Sequence, residues 1–247
     1  MEDPMRPWRV ATLVLAVAAL LLLGYTAWLP LPSWVPLLGG MGGPDWSYAP
    51  DVTAPLTRKL TFYHPATAWA SFAAYLVTFA YGVAYLNERD LRHDRNARAA
   101  AGVGFLFNTI ALATGTIWGM QEWSRTGQSA LATVYSEPKV LVVLVLWLTF
   151  AAYLLLRRLV DGAERRARLS AAFGVLGFIA VPASFLVSRL VQTSLHPDVL
   201  GPGANNDAAT STEVNVLLAL SAVAFLLLLA HLILARVRLA QLEEALA

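Results

Sequence analysis

"ATAWASFAAYLVTFAYGVAYL", residues 66–86, contains no charged side chain, and its reading decides the fold. At 1.5 Å per residue a helix of this length rises about 30 Å, the thickness of bilayer hydrocarbon. Working outward, apolar stretches of similar character run from Val10 to Leu29, Ala99 to Ile117, Val140 to Leu156, Leu169 to Leu186 and Val214 to Ala235. The whole chain of 247 residues is 57% hydrophobic and 14% charged, with a mean hydropathy of +0.57. Soluble domains carry about 25% charge. The pattern predicts an all-α integral membrane protein, a single membrane domain over 1–247 built as a bundle of six transmembrane helices.

The first stretch follows Arg6 and Arg9, as the core of a secretory signal would, but it is long and leads into Trp28, Pro30 and Pro32 rather than a small-residue cleavage pattern. It reads as a retained helix. Arginine placement then orients the bundle. One side collects Arg6, Arg9, Arg89, Arg92, Arg95, Arg98, Arg157, Arg158, Arg165, Arg166, Arg168, Arg236 and Arg238, and the other only Arg58, Lys59, Arg125, Lys139 and Arg189. By the positive-inside rule both termini are expected in the cytoplasm. The net charge of +2 is explained by this topology, and no nucleic-acid partner is expected.

Three outer segments follow: a cap loop over 30–64 rich in Pro, Gly and aromatic residues, a loop over 118–139, and a loop over 190–212. Turn-forming Gly, Pro and Asn fill the last, which ends in hydroxyl residues suited to capping the next helix. The C-terminal "RVRLAQLEEALA" is expected to extend the final helix, with Glu243 and Glu244 on a solvated or partner-facing side.

Two of the four histidines fall on the outer side, each in a His-Pro pair: His64 in "TFYHPATAW" and His196 in "TSLHPDV". Two imidazoles could be opposite axial ligands of a haem iron. Zinc suits them less, since its sites use three or four protein ligands, and the pair would need Asp198, Asp207 or Glu137 in addition. Helix capping or a place at the wet interface would also suit each histidine. With no cysteine in the chain, thiolate clusters and covalent c-type attachment are excluded. Trp118, Trp123 and Tyr135 sit where aromatic rings either stack on a flat ligand or anchor the interface. Trp69 is expected to pack or anchor the interface, Met120 to fill space rather than ligate iron, Asn108 to bond between helices, and His231 to meet headgroups and water rather than incoming haem. No Walker A pattern is present, so nucleotide hydrolysis would belong to a partner.

Taken in order, "APD" at 49–51, "RKLTFYHPATAW" at 58–69, "GTIWGMQEW" at 115–123, "EPK" at 137–139, "VPASF" at 181–185 and "SLHP" at 194–197 resemble the CcmC/CcsA family of haem-handling proteins of cytochrome c biogenesis over nearly the whole chain. The resemblance implies haem b bound non-covalently on the extracytoplasmic face of the plasma (inner) membrane, with His64 and His196 as axial ligands. It makes 118–139 the counterpart of the family's tryptophan-rich WWD domain, with Trp118 and Trp123 on the haem face, Tyr135 the nearest aromatic to its end, and Glu137 and Lys139 at its acidic and basic positions. Glu137 and Pro138 would equally suit the start of a helix. The family commonly has W-D-P-K or W-D-A-R where this chain has Ser136, Glu137, Pro138 and Lys139, and bulky aromatics near Leu190 and Val191; residues 124–134 resemble an insertion without aromatics. The implied role is haem presentation without catalytic turnover. The implied partners are a membrane-anchored, CcmE-like haem chaperone, CcmA/CcmB-like ABC-transporter subunits, a small single-span CcmD-like subunit and membrane lipid. A b-type electron-transfer subunit and a non-haem permease or structural subunit are the rival classes.

Overall fold

A computed structural model describes residues 6–28, 54–123, 129–191, 194–196 and 212–246. The helices are α1 (Arg6–Trp28), α2 (Ala54–Glu88), α3 (Leu91–Glu122), α4 (Ala130–Ser136), α5 (Pro138–Leu159), α6 (Ala163–Gly177), α7 (Ala180–Leu190) and α8 (Thr212–Leu246). Among the described residues, five helical segments are long and apolar enough to cross a membrane: 62–88, 91–122, 138–159, 163–190 and 218–246. Leu148 and Leu155 on α5 and Leu226 on α8 are exposed, as side chains facing lipid would be. The chain is a multi-pass membrane protein whose regular elements, among the described residues, are all helices. The final helix continues to Leu246 as the sequence implies.

The α2–α3 hairpin is the centre of the bundle, with α6 and α8 also laid against α2, and α1 against α8. Its turn is only Arg89 and Asp90, where Arg89 takes the left-handed φ of 60°. Asp90 N-caps α3 by accepting from the Arg92 backbone N–H at 2.8 Å. Bonds from the Arg92 side chain and backbone hold the Asp90 carboxyl down to about 2. The 32 residues of α3 rise about 48 Å, enough to cross hydrocarbon and both headgroup layers.

Phe72 and Tyr75 of α2, Ala101 of α3, Leu146, Phe150 and Tyr153 of α5 and Val181 of α7 form the main core, with Trp69 packed on it as expected. Tyr75 stacks on Phe150 at 3.6 Å between centroids. The expected interhelical bond of Asn108 is present: its Nδ2 donates to the Tyr75 hydroxyl at 3.3 Å, and both side chains are fully buried. Tyr75→Phe preserves the stack and removes only this acceptor. Its expected cost is about 1 kcal/mol, the scale of hydrogen bonds between helices in membranes, read as a small fall in thermal unfolding temperature in detergent.

Two sequence boundaries shift. The second helix starts at Ala54, so residues 54–64 are helical where a cap loop was expected, and His64 lies about three turns inside the helix rather than at its mouth. The fifth apolar stretch is broken into α6 and α7. Pro182 has no N–H for the Phe178 carbonyl, and its ring would crowd that oxygen. The carbonyl accepts instead from Val181 N–H at 2.9 Å, a tighter turn. The rest of the cap segment, 30–53, and most of the outer loop, 197–211, fall outside the described residues.

At the arginine-rich end, Arg157 of α5 forms a two-pronged ion pair with Asp94 of α3, at 2.6 and 2.7 Å. Arg95 pairs with Glu244 of α8 at 2.7 Å, and the Tyr85 hydroxyl donates to the Glu164 carbonyl at 3.2 Å. His93 sits at this end too, bonded to Glu88 at 2.8 Å and stacked on Tyr81.

Candidate functional site

The opposite end of α3 gathers the aromatic and imidazole groups. His64 turns from α2 toward α3, where its Nδ1 lies 3.0 Å from the Ala111 carbonyl oxygen and 3.3 Å from Thr114 Oγ1. A carbonyl only accepts, so Nδ1 carries the proton and donates it. Thr114 sends its own hydroxyl proton to the Ile110 carbonyl at 2.8 Å, which leaves its oxygen able to accept as well. The tautomer is thereby fixed, and Nε2 keeps its lone pair for a metal or a donor.

Pro65 follows His64 inside α2 and leaves the Thr61 carbonyl without its helical N–H partner. Nearby, Thr67 Oγ1 donates to the His64 carbonyl at 2.8 Å, and Ser221 of α8 donates to the Phe62 carbonyl. Side-chain hydroxyls thus serve two helix carbonyls that precede the proline.

The imidazole rests on bare backbone. A Cβ at Gly115 would stand 2.6 Å from His64 Cε1 and 3.3 Å from Nε2. One turn on, a Cβ at Gly119 would stand 2.9 Å from Trp123 Cε3 and 3.0 Å from Val134 Cγ2. The two glycines, four residues apart, lie on one face of α3 and admit a ring each.

Trp118 meets Trp123 edge-on at 5.3 Å, and Trp123 meets the His196 ring at 6.0 Å, again edge-on. Trp123 closes α3, its N–H bonded to the Gly119 carbonyl at 2.9 Å. The Trp118 Nε1–H is buried with no acceptor among the described residues. His64, Gly115, Trp118, Trp123 and His196 thus succeed one another along the end of one helix.

The loop between Trp123 and Pro138 contains helix α4, N-capped by Ser129, whose Oγ accepts from Ala132 N–H at 3.4 Å. Residues 124–128 are outside the described set. The stretch without aromatics thus contributes packing, since Thr133 and Val134 within it are buried. Tyr135 reaches back to α3, its hydroxyl 3.2 Å from Thr116 Oγ1. Lys139 holds its ammonium 5.8 Å from the centre of the Phe185 ring on α7, at cation–π distance.

Glu137 stands at the N-cap of α5 with Pro138 after it, yet its side chain makes no capping bond. The residue is 3% exposed, and its carboxylate turns to the segment before His196. It accepts from Ser194 Oγ and, at 2.9 Å, from the Leu195 backbone N–H. Glu137 therefore starts the helix with its backbone, while its side chain serves a different part of the chain.

Of the residues singled out in the sequence, His64, Trp118, Trp123, Glu137 and His196 assemble around the end of α3, Tyr135 joins from α4, and Lys139 points to α7. Thr114, Gly115, Gly119 and Ser194 were missed. The glycines had a readable signal in "GTIWG", a small-xxx-small pattern that marks close approach in membrane helices.

The family described as Cytochrome C assembly protein matches residues 6–196, a range that ends on His196. The chain is 31% identical over 126 residues to the heme exporter protein C of Bradyrhizobium diazoefficiens, covering 51% of this chain and 45% of that one. It is 26% identical over 140 residues to the heme exporter protein C of Paracoccus denitrificans, covering 57% and 55%. It is 28% identical over 114 residues to the cytochrome c biogenesis protein CcsA of Chlorella vulgaris, covering 44% and 33%. The aligned part spans about half the length of the first two relatives and a third of the last.

Proposed function

The chain belongs to the Cytochrome C assembly protein family, and on that premise we propose that it binds haem b non-covalently between His64 and His196 and presents it for c-type cytochrome maturation. The observation that carries this reading is the Ala111 carbonyl bond that fixes the His64 tautomer with Nε2 as the lone-pair nitrogen. A neutral imidazole in that tautomer is a ready axial ligand. The Trp118–Trp123 pair supplies ring faces and edges between the two histidines, and the buried Trp118 N–H supplies a donor for a propionate.

In this reading the histidine end faces the extracytoplasmic side of the plasma membrane and the arginine-rich end faces the cytoplasm, with α1 as a sixth span. The 23 residues of α1 rise about 34 Å, long enough to cross the hydrocarbon. A membrane-anchored haem chaperone of the CcmE type would take the cargo, with CcmA/CcmB-like ABC subunits and a small CcmD-like subunit completing the assembly. Energy input would be theirs. The protein itself acts by holding and orienting haem without chemical turnover.

The test is the absorption spectrum of detergent-purified protein titrated with haem. The parent is expected to give a low-spin, six-coordinate spectrum, and His64→Ala and His196→Ala each to lose it. Parent-like spectra from both variants would exclude bis-histidine ligation, and a parent without specific haem absorption would favour a permease or structural role.

A further inference from the structure

We infer that Glu137 is the positioning residue for His196, holding that histidine at the site through the two groups that precede it in the chain. The inference rests on the haem-binding reading above. Helix α7 ends at Leu190, and Ser194 to His196 lie beyond it outside any helix. The Ser194 N–H returns to the Val191 carbonyl at 3.0 Å, which turns the chain, but it leaves the direction of the next residues to other contacts.

Glu137 supplies them. One oxygen takes the Ser194 hydroxyl and the other takes the Leu195 N–H, so the carboxylate fixes both a side chain and the backbone next to His196. Ser194 Oγ also accepts from the His196 N–H at 3.3 Å. The carboxylate, Ser194 and His196 therefore form one hydrogen-bonded relay.

The anchor is rigid for its own reasons. Pro138 is at the first helical position of α5, where its ring fixes φ. The Glu137 carbonyl accepts the Leu141 N–H at 3.0 Å, and its N–H donates to the Val134 carbonyl at 3.2 Å. A carboxylate buried to 3% exposure is tolerated only with strong donors. It therefore selects the conformation of the Ser194–Leu195 segment that provides them.

Among the described residues Glu137 is the one buried glutamate, and it is committed to a backbone that carries a histidine, beside the Trp123 ring that the histidine touches. Glu137 need not touch haem for its loss to remove a ligand.

The experiment compares Glu137→Ala, Glu137→Gln, His196→Ala and Glu137→Ala/His196→Ala in the full chain titrated with haem in detergent. Glu137→Ala is expected to lose the low-spin signal as His196→Ala does, and the double variant to lose nothing further, the signature of residues acting as a unit. Glu137→Gln keeps an acceptor for Leu195 and retains most of the signal. Hydrogen exchange of the peptide containing Ser194–His196, without haem, is expected to quicken at least about tenfold in Glu137→Ala, by loss of the Leu195 bond.

A parent-like spectrum in Glu137→Ala, or unchanged exchange, overturns the inference. If Glu137→Ala is not recovered folded, Ser194→Ala decides: partial loss of the low-spin signal supports the relay and a parent-like spectrum overturns it. A parent protein without low-spin haem would sink the haem reading alone, since the exchange measurement still judges the anchor.

Discussion

Gly115→Val in α3 is expected to abolish the six-coordinate haem binding proposed above although it alters neither histidine. The reason is steric and local. The first carbon of any side chain at this position would stand 2.6 Å from His64 Cε1, inside the contact distance of two carbons, and the branched carbons of valine would extend the clash. The imidazole must swing away, which breaks its 3.0 Å bond to the Ala111 carbonyl and with it the orientation of Nε2. Gly115→Ala is the milder case. Orienting partners of a ligating histidine are worth about 10- to 100-fold in metal affinity, and a loss of that size is expected.

Gly102→Ala is the matched control on the same helix, because a Cβ there meets only an Arg236 guanidinium nitrogen at 3.8 Å, an ordinary contact. It should bind haem as the parent does and gain slightly in helix stability, since alanine is the better helix former. Haem titration of the three variants checks the set. Equal affinity for Gly115→Val and Gly102→Ala would show that the His64 ring does not use the groove in α3.

Asp94→Ala carries the largest expected effect on stability, at the other end of the bundle. Asp94 and Arg157 form a two-pronged pair with side-chain exposures of only 12% and 7%. Removing the carboxylate leaves the guanidinium buried without its counter-charge. Breaking a buried pair in this way costs about 3–5 kcal/mol. The Tyr153 ring lies 5.8 Å from the guanidinium carbon and offsets part of that cost.

Replacing both residues with leucine removes the stranded charge together with its partner, so Asp94→Leu/Arg157→Leu is expected to be more stable than Asp94→Ala. Thermal unfolding in detergent, followed by circular dichroism, orders the parent, the double variant and the single. A double variant no better than the single would mean that the two groups do not act as a pair. Haem binding offers a second check, because this pair is at the far end of α3 from His64. Folded protein of either variant should give the parent's spectrum.

The membrane class and the candidate residues were legible because hydropathy and chain order are local properties. A run such as 66–86 must satisfy its backbone polar groups within a helix when it enters hydrocarbon, whatever its neighbours are, and five such spans are present among the described residues. The His-Pro pairs, the tryptophans of "GTIWGMQEW" and the acidic residue of "EPK" stand in the sequence itself. So does the expectation that a polar group at mid-span, Asn108, must find a partner.

Tertiary structure alone decided what these residues do to one another. No periodicity in α2 shows that His64 donates to a carbonyl 47 residues away, because a backbone acceptor has no residue type to recognise. Nor does the sequence show that Glu137 turns from the helix it precedes to a segment 58 residues later. Capping and long-range anchoring ask for the same carboxylate, and only the approach of α5 to the chain beyond α7 selects between them. Nor does a proline by itself say whether a helix continues, since α2 runs on through Pro65, whereas at Pro182 the Phe178 carbonyl turns to the Val181 N–H and the helix breaks. Sequence therefore determined the solvent that this chain is built for and the functional groups that it carries, while packing decided which nitrogen lone pair, ring edge and carboxylate meet.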